Sequence, residues 1–446
     1  MEEAPAASLK RELGLRDLVL FNIAAVIGIR WLASAAHAGP DSIVVWIGAN
    51  LFFFVPSALC VAALTRLYPR EGGLYVWARE AFGEWHGFLA AWAYWMGVLI
   101  YFPGLLVAGV TMAAYMLGPN WEWLAGDRAY ALGASLCALW MLTLLNLLGV
   151  RVGKWVTNTG AAATYAAGSG LIVLGLLAWV RSGAATPLAP RWQWSWEQAN
   201  FWPQLAFAYV GLELAAVMAG EIRDPEKTVP RAALLGGALI TLLYLAGTLA
   251  MMALVPAQEI SIVSGIAQAG AAGGRLLGLP AAGVFMAAML TAGVAGQLST
   301  WMGAVARLPY VLGVDHFLPG RFARLHPRWG TPLWSLLFQA MVCTAFLLLM
   351  LAGETLRGGY QLLVDMAVIT TLLPLLYVFG SGWRLAPGRR GAAASGFLVT
   401  LAGILLSFVP PAGISSVPLF ELKLLGGTAA VLAGARWWYR RKAGAL

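Results

Sequence analysis

Charged side chains are scarce in this sequence of 446 residues. Asp, Glu, Lys and Arg make up 11% of it, whereas 60% of the residues are hydrophobic. Soluble domains carry roughly 25% charged residues. A soluble fold of this size cannot hide so much apolar surface, so the composition excludes one and predicts an all-α membrane protein surrounded by a lipid bilayer.

Residues that carry enzymatic or metal chemistry are also few. The chain has 3 Cys and 4 His, dispersed along it. It lacks a GxxxxGK[ST] phosphate loop, an HExxH pair and any Cys/His ligand spacing. We therefore expect no enzyme activity, no catalytic residue, no metal and no cofactor. The net charge of +9 does not indicate nucleic-acid binding, because the basic residues do not share one surface.

Long uncharged segments predict the membrane spans. A membrane helix needs roughly 20 mostly apolar residues. Nine segments carry no Asp, Glu, Lys or Arg, and three further apolar segments contain isolated charges. Together these segments predict about twelve transmembrane helices. The uncharged segments are 42–65, 85–121, 129–150, 155–180, 232–258, 276–306, 329–353, 366–383 and 391–420, and the charged ones lie near 17–38, 200–220 and 417–436.

The basic residues distribute unequally between the two sides of this arrangement. Of the 29 Lys and Arg, 22 fall on the side of the termini, five in the opposite loops and two inside spans. Cytoplasmic loops carry the excess of Lys and Arg in membrane proteins. The sequence therefore predicts a multi-pass protein of the plasma (inner) membrane with both termini in the cytoplasm.

Two spans combine a helix-breaking glycine with an ionisable residue at mid-membrane depth. Span 1 has Gly28 and Arg30, and span 6 has Gly211 and Glu213. A charge inside lipid costs roughly 2.5–3.5 kcal/mol on insertion scales, so such positions are usually functional. Span 6 is the fifth span after span 1, so the two cross the membrane in opposite directions. Matching Gly-interrupted helices in two inverted halves indicate a transporter binding site.

Broken helices suit a zwitterionic ligand. One half-helix offers free N–H groups to a carboxylate, and another offers free carbonyls to an ammonium group. Arg30 has two interpretations at this stage. It contacts the substrate, or it pairs with Glu213 or with Asp365 at the start of span 10.

Several segments make the chain resemble the amino acid–polyamine–organocation transporter family. The resemblance rests on the span 1 turn, the loop after span 2, the interrupted span 6 with its exit loop, and the end of span 8. Their sequences are AVIGIR at 25–30, PREGGLYVW at 69–77, FAYVGLE at 207–213 with EIRDP at 221–225, and RLPY at 307–310 with DHFLP at 315–319.

The span 1 turn departs from the family's usual small residues, because Ile29 and Arg30 occupy the last two positions. An Arg there looks like the glutamate/γ-aminobutyrate antiporter branch. That branch usually continues Gly-Leu-Pro, whereas Trp31 follows here, and the difference weakens transfer of that substrate pair.

The resemblance implies a LeuT-like fold with a 5+5 inverted repeat in one transmembrane domain covering 1–446. The repeats would span 15–180 and 200–384, with two peripheral helices in 391–440 and discontinuous helices 1 and 6. Carried over by position, the substrate would meet Ile27, Gly28, Ile29, Arg30, Phe207, Tyr209, Val210, Gly211 and Trp301, with coupling or gating at Glu213, Asp365 and Thr164.

The resulting functional expectation is secondary active transport of an amino acid by alternating access, as an exchanger or linked to protons. A polyamine or organic amine transporter of the same family is the alternative, and a channel is a further one. The expected partners are a small-molecule amino acid or amine and the bilayer, without nucleic acid.

Overall fold

The computed structural model describes residues 9–190, 205–261, 265–279, 281–351, 356–409 and 417–443; within these ranges, the side chains of Ile29, Arg30, Pro119, residues 350–351 and 356–366, Leu419 and the last two residues are not described. These residues form helices and no β-strand, apart from an isolated bridge between Leu13 and Ile222. The helices are α1 (Leu15–Val26), α2 (Ile29–His37), α3 (Ser42–Leu67), α4 (Leu74–Phe82), α5 (Glu84–Tyr115), α6 (Arg128–Leu147), α7 (Val150–Ser182), α8 (Glu213–Val217), α9 (Pro225–Leu254), α10 (Gly265–Leu277), α11 (Ala282–Val305), α12 (Arg307–Val314), α13 (Leu333–Leu351), α14 (Leu356–Leu385), α15 (Arg390–Leu406) and α16 (Val417–Ala443).

Eight segments of the described chain are long and apolar enough to cross a membrane. If α1 and α2 form one span bent by 46°, the number of such segments rises to nine. Helix α13 contains a shorter apolar helix, Leu333–Leu349. The helices fall where the sequence predicted spans, so the multi-pass, all-helical architecture is confirmed. The count of twelve and the inverted repeat stay predictions. The eight spans are Ser42–Leu67, Glu84–Tyr115, Arg128–Leu147, Val150–Ser182, Pro225–Leu254, Ala282–Val314, Ala367–Leu385 and Pro387–Leu406.

Helix α5 runs through the middle of the bundle and packs against α11 and α14, while α7 packs against α9 and α11. Small residues allow these close approaches, which in lipid depend on van der Waals packing. A Cβ built on Gly160 of α7 would lie 2.4 Å from the Cα of Gly296 in α11. The backbones of α7 and α11 therefore touch at this pair of glycines.

Helix α3 contains a π-helical turn at Asn50–Phe54. Such turns insert one extra residue into a helix and often occur at functional sites. Here the turn buries Phe53 and Phe54, and Asn50 Nδ2 donates to Thr241 Oγ1 of α9 at 2.6 Å. The turn thus fixes α3 to α9.

The N-terminal segment and the C-terminal helix meet the same end of the bundle. Leu13 pairs with Ile222, and Trp438 Nε1 of α16 donates to the carbonyl of Phe317 at 2.8 Å. The loop at Gly72 connects these regions, because Gly72 N donates to Val217 O at 3.0 Å and Gly72 packs on Val311. We call this the terminal end of the bundle.

The α7–α11 contact gives a prediction about stability. Gly296→Ala should lower the free energy of unfolding by about 1–3 kcal/mol, because the added methyl group has no space against Gly160. Gly133→Ala on α6 is the matched control. Nothing lies within 4 Å of the Cβ position there, so alanine's helix propensity should stabilise it slightly. Thermal unfolding in detergent compares the two, and equal melting temperatures would contradict the close contact.

Candidate functional site

The first span breaks between α1 and α2, at the position where the sequence predicts an interruption. Ile27 and Gly28 have extended backbones, with ψ angles of 94° and 103°. An interruption leaves helix-end N–H and C=O groups that need partners elsewhere. Gly28 also lies under the ring of Trp31, because a Cβ on this glycine would be 2.5 Å from the Trp31 Cδ1 atom.

The sixth span is interrupted in the same way. Residues 205–207 are helical, 208–212 form a turn, and α8 begins at Glu213. Gly211 has φ of +132°, a conformation that residues with a Cβ rarely adopt. A Cβ on Gly211 would lie 3.2 Å from the carbonyl carbon of Ala25. The two interruptions are therefore in direct contact.

The hydroxyl group of Tyr244, on α9, connects both breaks. It lies 2.7 Å from Val26 O and 2.9 Å from Ala208 O, and it accepts from Gly28 N at 3.1 Å. A hydroxyl has one hydrogen to donate, so the two carbonyls share it. The ring stacks on Trp46 with centroids 4.3 Å apart. Tyr244 is the central contact of the site.

The sequence analysis did not identify Tyr244, because it lies in the apolar helix α9 among leucines and is one of 13 tyrosines. No pattern of charge or spacing distinguishes it. Its role follows from tertiary contacts alone.

Two polar side chains of α11 reach the first break. Trp301 Nε1 donates to Ala25 O at 2.8 Å, which places this predicted residue at the break. Gln297 Nε2 lies 3.4 Å from the same oxygen and 3.5 Å from Ile27 O. The sequence analysis named Trp301 and missed Gln297, although the two are four residues apart and share one face of a helix.

Aromatic rings pack against one another beside the breaks. Phe207 contacts Trp31 and Tyr101, with centroids 5.8 and 5.5 Å away. Trp301 contacts Tyr101 at 6.3 Å and stacks on Tyr94 at 6.1 Å. We call these five residues the aromatic cluster. Phe207 and Trp301 were predicted here, whereas Tyr94 and Tyr101 give no signal in the sequence of α5.

Glu213 is buried at the second break. Its Oε1 atom accepts from the Tyr94 hydroxyl at 2.5 Å, and its Oε2 atom accepts from Gly211 N at 3.2 Å. A buried carboxyl is stable only when hydrogen-bonded or paired. Glu213 thus joins the interruption of its own span to α5 and lies beneath the aromatic cluster.

The other predicted site residues are placed as follows. Tyr209 is buried and turns toward α3, with its ring centroid 4.6 Å from that of Phe54. Val210 is buried in the turn, and Thr164 is buried on α7 without a described hydrogen bond to either break. The side chains of Ile29, Arg30 and Asp365 lie outside the described residues, so the pairing of Arg30 stays a prediction.

The geometry indicates binding rather than covalent chemistry. The groups that converge are backbone amides and carbonyls, aromatic rings and one carboxyl. Among the described residues, no three or more His, Cys, Asp or Glu are placed to hold a metal ion. Such a set can orient a small charged molecule with an apolar part.

Comparisons with known proteins agree with this geometry. A family model described as "Amino acid permease" matches residues 13–421. An uncharacterized transporter of Legionella pneumophila is 28% identical over 444 residues, 94% of either chain. The probable agmatine/putrescine antiporter AguD of Lactococcus lactis is 23% identical over 84% of this chain and 80% of its own. The glutamate/serine transporter AimA of Bacillus subtilis is 24% identical over 82% and 69%.

The Tyr244 contacts give a second prediction. Tyr244→Phe keeps the ring but removes the hydroxyl, at a cost of about 1–3 kcal/mol for each buried backbone group left without a partner. Tyr130→Phe is the matched control, because Tyr130 donates one bond to Val110 O at a half-buried position. The control should lose about 0.5–1.5 kcal/mol. Chemical or thermal unfolding in detergent measures both, and an equal loss would show that the Tyr244 hydroxyl does not hold the breaks together.

Proposed function

The chain belongs to the amino acid permease family, and from this premise we propose that it moves amino acids across the plasma membrane by alternating access. The coarser conclusion, a multi-pass membrane transporter rather than an enzyme, follows from the family and the apolar helices. The proposal adds the substrate class and the mechanism, in which the protein acts as an exchanger or as a proton-linked carrier.

The contact between the two helix breaks is the observation that carries the proposal. Helix α2 begins at Ile29, and the N–H groups of a helix's first turn attract an anion. The turn 208–212 lies against this break and offers carbonyls near Phe207, Tyr209 and Val210. The carboxylate and ammonium groups of an amino acid would bind these two elements, and its side chain would contact the aromatic cluster.

A small cavity of about 30 Å³ lies at the terminal end of the bundle. It lies between α1, α7 and α11 and is lined by Asp17, Lys154, Asn158, Thr300 and Arg307, among others. Asp17 accepts from Asn158 at 2.9 Å and pairs with Lys154 at 3.4 Å. Alternating access requires a path from the breaks to one face of the membrane, and we propose that it opens along these polar groups.

The topology of the proposal follows the charge distribution. The terminal end would face the cytoplasm, and 15–180 and 200–384 would be the inverted repeats that rock around the breaks. The segment 391–440 would be peripheral. Transport of an organic amine is a second candidate, because Glu213 offers a buried carboxyl beside the aromatic cluster and AguD is named for agmatine and putrescine.

A binding and transport screen tests the proposal. Purified protein would be heated with each of the twenty amino acids, agmatine and putrescine, and compounds that raise the melting temperature would enter counterflow assays in proteoliposomes. We expect saturable counterflow of at least one amino acid. Counterflow of amines alone would favour the second candidate. Conductance that does not depend on counterflow would identify a channel and contradict the proposal.

Arg30 supplies a third prediction. If its guanidinium binds the substrate carboxylate, Arg30→Ala should weaken amino acid binding about tenfold to a hundredfold, the equivalent of roughly 1.5–3 kcal/mol. The ratio of the affinities for an amino acid and for its decarboxylated amine should fall as well. Arg30→Lys should keep part of the affinity, because Lys retains the charge without the planar fork.

Arg16→Ala is the control, an exposed residue near the start of α1. A folded Arg30→Ala variant with an unchanged discrimination ratio would assign Arg30 to pairing with Glu213 or Asp365 instead of substrate binding.

A further inference from the structure

Three segments that are distant in sequence bring their charged residues together at the terminal end. Glu71 comes from the loop after α3, Glu221 follows α8, and Arg307 begins α12. Glu221 Oε1 accepts from Arg307 Nη2 at 2.8 Å, and both side chains are almost completely buried. Glu71 Oε2 accepts from Gly220 N at 2.6 Å. We call these three residues the charge triad.

Tight packing holds the loop of Glu71 in place. A Cβ on Gly73 would lie 2.7 Å from the carbonyl carbon of Ala216, and Gly73 has φ of +42°. Gly72 N donates to Val217 O at 3.0 Å. The loop therefore lies directly on the backbone of α8 and the residues after it, and Glu71 cannot leave without moving this half of span 6.

The charges of the triad do not balance. Two carboxylates and one guanidinium leave one negative charge if both acids are ionised. An uncompensated buried charge costs several kcal/mol even after relaxation. Three buried atoms also have no hydrogen-bond partner among the described residues, namely Glu71 Oε1, Glu221 Oε2 and Arg307 Nε. One proton at the carboxyl oxygens would balance the charge and let one of the two unpaired carboxyl oxygens donate to the other; Arg307 Nε, itself a donor, is not affected.

We propose that the charge triad binds one proton, carried by Glu71 beside the ionised Glu221–Arg307 pair, and that this proton is loaded from the opposite side of the membrane and released when the terminal end opens. This inference rests on the proposed transport function and names the proton as its coupling ion. Protonation changes the net charge of the triad from −1 to 0. It also gives Glu71 an O–H donor in a cluster where Glu221 Oε2 lacks one.

Burial supports this assignment. Desolvation, followed by the negative charge of Glu221, raises the pKa of the Glu71 carboxyl well above its usual value of 4.5, while Arg307 and the Gly220 amide act in the opposite direction. Burial also raises the pKa of the Glu221 carboxyl, but its direct bond to Arg307 acts in the opposite direction, and we therefore assign the proton to Glu71.

Among the described residues, the other titratable groups at this end do not supply the missing charge. Asp17 and Lys154 pair with each other across α1 and α7. Arg79 of α4 pairs with Asp315, which also accepts from Tyr75. The remaining groups from the packed elements are Tyr310 on α12, Glu12 on the N-terminal segment, and the exposed Lys10, Arg11, Arg16, Arg70, Arg223 and Asp224.

The triad borders a cavity large enough for water. Arg307 lines this cavity of about 30 Å³ at the terminal end. Leu13 and Met218 line the same cavity, and Leu13 N donates to Glu221 O at 3.0 Å. Opening the cavity would separate Leu13 from Glu221 and hydrate the triad, which removes the desolvation that holds the proton.

Stability against pH tests the site without any substrate. A carboxyl whose pKa is raised in the folded protein binds more protons folded than unfolded. Stability is therefore greatest below the ordinary pKa and falls as pH rises toward the raised one. The melting temperature of the wild type should fall by about 2 °C or more between roughly pH 5 and pH 8. Glu71→Gln should flatten this slope, because it is neutral at every pH and keeps an acceptor for Gly220 N.

Two further variants make the test specific. Glu221→Gln should also flatten the slope, because Glu71 then balances Arg307 without a proton. Glu226→Gln is the matched control, an exposed carboxyl at the start of α9, and should keep the wild-type slope. A flat wild-type profile overturns the proposal. So does a Glu71→Gln or Glu221→Gln variant that melts lower at every pH with an unchanged slope, since that identifies a purely structural contact.

Transport provides the second readout. Proteoliposomes containing a pH-sensitive dye would receive the compound that gives the strongest counterflow. The wild type should acidify the lumen during net uptake, and Glu71→Gln should lose this at least about tenfold while retaining counterflow. Acidification by Glu71→Gln at the wild-type rate overturns the proposal. If none of the screened compounds is transported, the proposed function fails, whereas the melting profiles still decide whether Glu71 binds the proton.

Discussion

Backbone hydrogen bonds at the two helix breaks constrain the rest of the structure. In an apolar environment an N–H or C=O group without a partner costs several kcal/mol, so an interrupted helix requires neighbours that satisfy it. Tyr244, Trp301 and Gln297 do so from α9 and α11. These helices must stay in register with α1, and the glycine contact between α7 and α11 keeps that register.

The same requirement explains how a ligand could compete for the site. Among the described residues the breaks are held not by ion pairs but by hydrogen bonds from hydroxyl, indole and amide groups and, at Gly211, by the Glu213 carboxyl. An amino acid offers a carboxylate and an ammonium, which form stronger, charge-assisted bonds with the same kinds of partner. Binding can therefore exchange weak internal contacts for stronger external ones without leaving any backbone group unpaired.

The positions of the breaks could be predicted from the sequence because charge and glycine are both unusual in the middle of a span. Gly28 with Arg30, and Gly211 with Glu213, stand out against apolar neighbours for this reason. The side chains that hydrogen-bond to the breaks could not be predicted from the sequence. Tyr94, Tyr101 and Tyr244 occupy helices whose every face is apolar, so no periodicity indicates which way they point. The charge triad differs from both. Its three residues lie in segments that are recognisable in the sequence, but only the fold shows that these segments meet.

The π-helical turn of α3 has a consequence for the face that this helix presents. Successive residues of an α-helix differ by about 100° around its axis. The extra residue at Asn50–Phe54 therefore rotates the remainder of α3, down to Leu67, by about that angle relative to its first half. The part of α3 after the turn, Val55–Leu67, packs on α9, α14 and α15. The inserted residue therefore sets which side chains of this part face each of the three helices.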